Sequence, residues 1–419
     1  MEYIEAELPQ AEDTVCVGMS GGVDSTLTAL LLKERGCRVI GVTMSMWDGS
    51  VPEGMKIEDL HASCFGPGEL KNISECTLFC TQNDIEYHVI DVKKQYREKV
   101  LEYFKSEYRN GRTPNPCIRC NETVKFGAFL DGIKNAGINF DYFCTGHYAK
   151  IVRPKTGIFG TDRRPCMISG AVDITKDQTY FLYRLSSETL EKVRFPLANL
   201  TKAQVFELAK KADLASAARK ESQDFIGQEY FDLLFSDKKS IPGDIIDLDG
   251  HVLGRHRGIE HYTIGQRRGL GVAVNYPVYV QAIDAKKNLV VLAPNDALNS
   301  DGLIADNFVW PASIAPSEPF EALVKIRLAS RPTPAKIEPL NLNGISKYAN
   351  SSENCISTES EKISLPSSEN NQLTSYDTFA GAPYKITFES PQRAVAPGQS
   401  VVIYKDGVIL GGGIIKEKF

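Results

Sequence analysis

Two stretches of this sequence carry residue types and spacings suited to chemistry. The first is Gly18, Met19, Ser20, Gly21, Gly22, Val23, Asp24 and Ser25, set between an apolar run at 14–17 and a helix-like run at 23–34 that closes at Gly36. A strand, a glycine turn and a helix N-terminus in that order make an anion site, because unpaired N–H groups and the helix dipole point at one spot. Phosphate suits it: Gly21 and Gly22 let the backbone approach closely, Ser20 and Ser25 add hydroxyls, and Asp24 can cap the helix or reach a metal carried by a nucleotide. No lysine follows the glycines, which argues against a Walker-type loop. The second stretch, 112–121, places Cys117 and Cys120 just after Pro114 and Pro116. The prolines argue for a loop rather than a helix, and Cys-x-x-Cys spacing serves redox, metal or persulfide chemistry, with a buried inert pair as the bland alternative.

These residues need a scaffold. Short β-branched runs at 14–17, 39–44, 87–92 and 140–144 alternate with helical stretches near 70–83, 95–108 and 121–136. That is the pattern of an α/β domain, a parallel sheet with helices on both faces. Ligands bind such sheets at the carboxyl ends of strands, so the loops holding 18–25, Met44 with Trp47, and Gly146 with His147 are expected to converge on one nucleotide pocket. Lys176, Asp177 and Gln178 open a stretch mixing charge, amide and aromatic residues that suits RNA contact or a helix start. Residues 250–271 are locally basic, with Arg255, Arg257, Arg267 and Arg268, and read as a phosphate-contacting linker. From 277 onward, short alternating runs separated by turns suggest an antiparallel β-barrel. A Ser-, Asn-, Thr- and Glu-rich insertion at 341–379 is expected to be a mobile loop, and Cys355 within it to be unimportant. The organisation expected is a catalytic domain over 1–200, a small central phosphate-contacting domain over 201–276 and a barrel over 277–419.

Composition narrows the function. Lys plus Arg number 48 and Asp plus Glu 53, a balance of −5, so any RNA site must be a local basic surface. No apolar run is long enough to span a bilayer and the acidic N-terminus lacks the order of a secretory signal, so the expectation is a cytoplasmic protein with no membrane partner. Ten cysteines in a reducing compartment are then buried, catalytic or metal-bound rather than paired.

The motif at 20–25 resembles the pyrophosphate-binding loop of the ATP pyrophosphatase (PP-loop) superfamily. Taken with Met44, Thr113-Pro114-Asn115-Pro116, Cys120-Asn121, residues 145–149, 176–178, 262–267 and 396–399, the chain resembles the bacterial tRNA-specific 2-thiouridylase family along most of its length. The resemblance implies an adenine nucleotide alpha hydrolase-like domain and a C-terminal barrel. It also implies replacement of the C2 oxygen of the wobble uridine by sulfur in tRNAs for Lys, Glu and Gln. ATP with Mg2+ at 18–25, Met44 and Gly146 would adenylate that oxygen, and Cys120 matches the family's nucleophile. Asn115 to Cys117 would face the target base, while His147, Lys176, Asp177, Gln178, Arg327, Leu328 and Gln399 would contact tRNA.

Two departures stand out. Many members carry Asp where this chain has Cys117, and a second catalytic cysteine in a stretch resembling 222–226; this chain has no cysteine between Cys166 and Cys355. Cys64, Cys117 and Cys120 could instead hold an iron–sulfur cluster with one open iron for hydrosulfide, with Cys76 or Cys80 as alternatives for the third ligand. A dithiol relay and structural zinc are the other readings. The sulfur would come from hydrosulfide or a donor protein, a cysteine desulfurase or a sulfur relay. Two further classes remain in view, a PP-loop enzyme acting on a small molecule and a non-catalytic tRNA-binding protein.

Overall fold

Three consecutive β-branched or small apolar residues, Val15, Cys16 and Val17, are fully buried because the strand that carries them, Thr14–Gly18, is covered on both faces. It is the middle of a five-stranded parallel sheet in the order Glu86–Asp91, Arg38–Ser45, Thr14–Gly18, Tyr142–Cys144, Val193–Arg194. The strand order reverses beside Thr14–Gly18, which is where an open α/β sheet leaves a crevice for a ligand. The coordinates are a computed structural model that describes residues 1–51, 54–56, 63–218, 225–340 and 382–419. The insertion at 341–379 with Cys355, and Ser222, Gln223 and Asp224, lie outside the described residues.

The helix Val23–Glu34 has the bounds its pattern predicts, and Gly36 (φ 87°) turns the chain out of it. The cysteine segment differs from expectation. Pro116–Cys120 is the first turn of a helix, not a loop, and it runs on through a π-helical stretch, Asn121–Ala128, into Phe129–Asn135. Pro116 occupies the first helical position, where its missing N–H costs nothing, and Asn115 caps it by accepting from the Ile118 N–H at 3.2 Å. The prolines therefore start the helix instead of excluding it.

Other elements shift partners relative to the sequence reading. Lys202–Lys211 packs through Val205 and Ala209 on Val23 and Leu27, joining the layer that carries Val23–Glu34 instead of opening a central unit. Tyr279–Asp284 and Leu289–Ala293, expected in the barrel, form a four-stranded sheet with Gly243–Ile246 and Val252–His256, over a core of Ile245, Val280, Val290 and Leu292. Alternation marks a strand but does not name its neighbour. The barrel itself closes on six antiparallel strands, Asn299–Val309, Phe320–Lys325, Thr333–Pro339, Tyr384–Arg393, Ser400–Lys405 and Val408–Lys418. A ribbon of Tyr3–Glu5, Ala149–Pro154 and Met167–Gly170, which the sequence reading missed, joins that sheet through Ser169 opposite Val408. Among the described residues no helix is long and apolar enough to cross a membrane.

Candidate active site

The glycine turn at the end of Thr14–Gly18 is held from inside. The Ser20 N–H donates to Ser25 Oγ at 3.1 Å, and Ser25 Oγ donates to the Gly22 carbonyl at 3.0 Å. Gly21 turns the chain at φ 75°, and no side chain caps Gly22 at the start of Val23–Glu34. The result is a helix N-terminus with its dipole aimed into a cavity of about 210 Å³ lined by Gly18, Met19, Ser20, Asp24, Ser25, Met44, Gly146, His147 and Gln178. Val42, Lys125, Phe129, Phe143 and Thr145 complete its wall. Val23 points the other way, 4% exposed in an apolar cluster, and Trp47 is buried in the main core; neither lines the cavity.

Two lysines absent from the sequence argument reach this site. Lys202 Nζ lies 2.8 Å from both carboxylate oxygens of Asp24, and the Tyr148 hydroxyl donates to Asp24 Oδ1 at 2.8 Å. Lys125 lines the cavity five residues beyond Cys120. The missing glycine-loop lysine is thus supplied from distant segments. His147 packs between Phe126 and Phe195, with Nδ1 2.6 Å from Thr145 Oγ1. Burial, then Lys125, holds its pKa well below the usual imidazole value, so near neutral pH it is a hydrogen-bonding group and not a cation.

Burial sorts the cysteines. Cys16, Cys37, Cys76, Cys80, Cys144 and Cys166 are buried, whereas Cys117 and Cys120 are partly exposed and Cys64 is exposed. Cys76 and Cys80 pack with Val15, Val17 and Met19 under the phosphate loop, so they are no alternatives to Cys64 beside Cys117 and Cys120. Burial, then Cys64 and Cys120, pushes the Cys117 thiol up to about 12. Burial also raises Cys120, to about 11, against a lowering by the Lys125 cation and with a further rise from Cys64. The three therefore feel one another's charge. Their sulfurs do not all lie within 4.8 Å of one another, whereas a single tetrahedral zinc with 2.3 Å bonds would hold thiolates roughly 3.8 Å apart. Alkylation of Cys120 by iodoacetamide is expected to rise about tenfold per pH unit between roughly pH 7 and 9 without a plateau, because only the thiolate reacts. Mass spectrometry of iron-free protein reads this, and a plateau below pH 9 would contradict it.

The comparisons with known proteins fall on this arrangement. The family described as "tRNA methyl transferase HUP domain" matches residues 13–228, its PRC-barrel domain matches 233–294, and an aminomethyltransferase beta-barrel domain matches 379–415. The tRNA-specific 2-thiouridylase of Endomicrobium trichonymphae is 39% identical over 97% of this chain and 99% of its own length. That of Roseiflexus castenholzii is 37% identical over 96% of this chain and 98% of its own. The chain belongs to the tRNA-specific 2-thiouridylase family. A solved 4-thiouridine synthetase–RNA complex with bound ATP covers 52% of this chain and 46% of that one at 14% identity and a TM-score of 0.32, too slight a likeness to bear on the site.

Within this 2-thiouridylase, several residues expected at the RNA are engaged in holding the site together. Asn115 caps the cysteine helix. Asp177 accepts from the Thr179 N–H at 3.1 Å and the Ala171 N–H at 3.2 Å, and Gln178 accepts from the Tyr148 N–H at 2.9 Å. Lys176 stands half-buried on the same turn. Gln399, from the barrel, donates to the Thr113 and Pro114 carbonyls at 2.8 and 3.2 Å, and the Thr113 N–H returns a bond to Pro397 O at 2.8 Å. The barrel thereby fastens the segment that starts the cysteine helix. Arg327 is half-buried and Leu328 is 43% exposed on a barrel turn. Cys64 also finds a context: its neighbour Phe65 donates to the Phe225 carbonyl at 3.2 Å and bridges Ile226. That pairing sets the Cys64 loop beside Phe225–Ile226.

Proposed function

We propose that this chain uses ATP to adenylate the C2 oxygen of the wobble uridine of tRNAs for Lys, Glu and Gln, and then replaces that oxygen with sulfur carried at Cys120. Family membership makes it a tRNA-uridine 2-sulfurtransferase. The observation that carries the residue assignment is Lys125, which lines the phosphate-loop cavity and also lies within electrostatic reach of Cys120. A side chain that lines the cavity and lies within electrostatic reach of Cys120 supports the reading that a base activated at the cavity mouth meets the sulfur without moving far.

The order of events follows from leaving-group chemistry. A pyrimidine carbonyl oxygen cannot depart unaided; attack by that oxygen on the α-phosphorus of ATP releases pyrophosphate and leaves the oxygen bound to AMP. The helix N-terminus at Gly22–Val23 and the lysines favour the phosphates, and Met44 and Phe129 supply apolar wall for adenine. Attack at C2 by the outer sulfur of a Cys120 persulfide expels AMP with the uridine's own oxygen. The S–S bond then breaks when a second thiolate, Cys117 or Cys64, attacks Cys120, leaving a disulfide and a thiocarbonyl. The uridine must leave its stack to reach this point.

Mg2+ finds no open carboxylate here, since Asp24, the one carboxylate on the cavity wall among the described residues, is held by Lys202 and Tyr148. No step is assigned to it. Cys64, Cys117 and Cys120 fit an iron–sulfur cluster: burial and the neighbouring Cys64 oppose deprotonation of Cys117 and Cys120, which therefore gain from binding cationic iron, and the three sulfurs are spread too widely for one zinc. Bound there, such a cluster would supply an open iron for hydrosulfide.

The test pairs two readings on one sample of anaerobically purified protein. Pyrophosphate release should depend on unmodified tRNA, and mass spectrometry should find 2-thiouridine at the wobble position. Release without tRNA would indicate a small-molecule adenylating enzyme, and no release would indicate a binding protein. Iron, sulfide and zinc contents then separate the sulfur routes: activity that tracks cluster content supports the cluster, and full activity in iron-free protein given a persulfide donor leaves the dithiol route.

A further inference from the structure

The helix departs from α-helical spacing directly after Cys120. In an α-helix, residues five apart point about 140° away from one another, so Lys125 would face away from Cys120. Asn121–Ala128 is instead π-helical, and at its end the Phe129 N–H reaches the Val124 carbonyl, five positions back. The wider turn stacks each residue over the fifth before it, which brings Lys125 round to the Cys120 side while it lines the phosphate-loop cavity. Both the Lys125 ammonium and its backbone N–H favour the Cys120 thiolate. Turns of this kind are rare, so this one must be held from outside. Thr123 helps to open it, its hydroxyl donating to the Arg119 carbonyl at 2.8 Å, four positions back. Asn121, 5% exposed, donates through Nδ2 to the Phe181 carbonyl at 3.1 Å. Glu122 is gripped from two sides, with Oε1 2.8 Å from Arg184 Nε and Oε2 3.3 Å from Arg119 Nη1. The Arg184 side chain is 8% exposed and donates onward to the barrel, through Nη1 to the Asn307 carbonyl at 3.0 Å and through Nη2 to Asn307 Oδ1 at 3.3 Å. Asn307 sits at φ 50°, where the barrel strand Asn299–Val309 shifts register.

We propose that Glu122 and Arg184 are positioning residues for sulfur transfer: their ion pair ties the π-helical turn to the barrel and so keeps Lys125 and Cys120 on one side of the helix, at the cavity. This rests on the tRNA-thiolating reading and gives it two further residues, neither of which touches the reacting atoms. With the turn held, the adenylated base meets the sulfur before it meets water. Once the turn is released, it relaxes towards α-helical spacing and Lys125 swings away from Cys120. Water then attacks C2 of the adenylated base in place of sulfur, AMP leaves with the original oxygen, and uridine is restored with an oxygen from water. The loss therefore falls on coupling between the two half-reactions, because small displacements in a positioning element are costly where two groups must meet.

The test uses the full-length protein in two assays. N-succinimidyl iodoacetate, a short reagent that joins a lysine amine to a cysteine thiol, is applied to iron-free protein, and mass spectrometry reads the Cys120–Lys125 crosslink. The wild type should form it and Glu122→Gln should lose most of it. In the second assay, 2-thiouridine formed per pyrophosphate released on unmodified tRNA should fall about tenfold in Glu122→Gln, the scale expected for a misplaced reacting group. Arg184→Lys keeps the charge opposite Glu122 and loses the fork to Asn307, so it should fall between the two, and it serves if the glutamine variant melts early. A variant that is merely less stable would lose both products together and keep the ratio. An unchanged ratio, a crosslink at the wild-type yield in Glu122→Gln, or no crosslink in the wild type would overturn the positioning role. A wild-type protein that forms no 2-thiouridine would overturn the thiolation reading instead, and the crosslink, which needs no tRNA, would still decide the register.

Discussion

Cys120→Ser is expected to form no 2-thiouridine, a loss of about 10³-fold or more, while pyrophosphate is still released in response to tRNA. The substitution removes the sulfur and leaves the cavity untouched, because Cys120 does not line it. Adenylated tRNA should then accumulate, visible by mass spectrometry as an AMP adduct. Thiolation surviving in Cys120→Ser would remove it as the sulfur carrier. Cys64→Ser sharpens the same experiment. If Cys64, Cys117 and Cys120 act as one unit, its loss should be about as severe, because residues that work together do not contribute additively. Full activity in Cys64→Ser would take that residue out of the site and leave Cys117 as the partner thiol.

The second large effect is expected at Gly146. A Cβ there would sit 2.7 Å from Asp24 Cβ and 2.8 Å from the Asp24 carbonyl carbon, inside the first turn of Val23–Glu34. Backbone cannot give way cheaply, so Gly146→Ala must push the loop Thr145–His147 off the phosphate loop. A displacement of about 1 Å in a positioning loop costs on the order of 100-fold in catalysis, and ATP affinity by calorimetry should fall similarly. Stability should fall by about 1–3 kcal/mol, the usual cost of overpacking, leaving a folded protein to assay. Unchanged ATP affinity would mean that this loop is not a wall of the nucleotide site.

Local patterns made much of this legible. The run at 14–17 and the helix at 23–34 announced themselves because β-branched residues, glycines and a 3.6-residue apolar period each act within a few positions. The phosphate loop was readable for the same reason: Gly18 to Ser25 are contiguous, and their hydrogen bonds close within the segment. Cys117 and Cys120 stood out as a spaced pair. The reading of Pro114 and Pro116 as barring a helix failed because the same proline that breaks a helix interior suits its first position, and the cap from Asn115 decides between the two.

What the sequence determined by itself was therefore the contiguous chemistry: an anion-binding turn, a paired thiol, a run of strands and helices, and the resemblance these carry. Only the tertiary structure brought Lys202 to Asp24, set Lys125 between cavity and thiol, buried Cys76 and Cys80 away from Cys117, and laid the Cys64 loop along Phe225–Ile226. It alone chose the sheet to which Tyr279–Asp284 belongs and fastened Gln399 to Thr113. Apart from Lys125 and Cys120, which are five positions apart, these contacts join residues tens to hundreds of positions apart. Such partners are selected by which apolar faces bury one another, and that is a property of the packed chain that no local window contains.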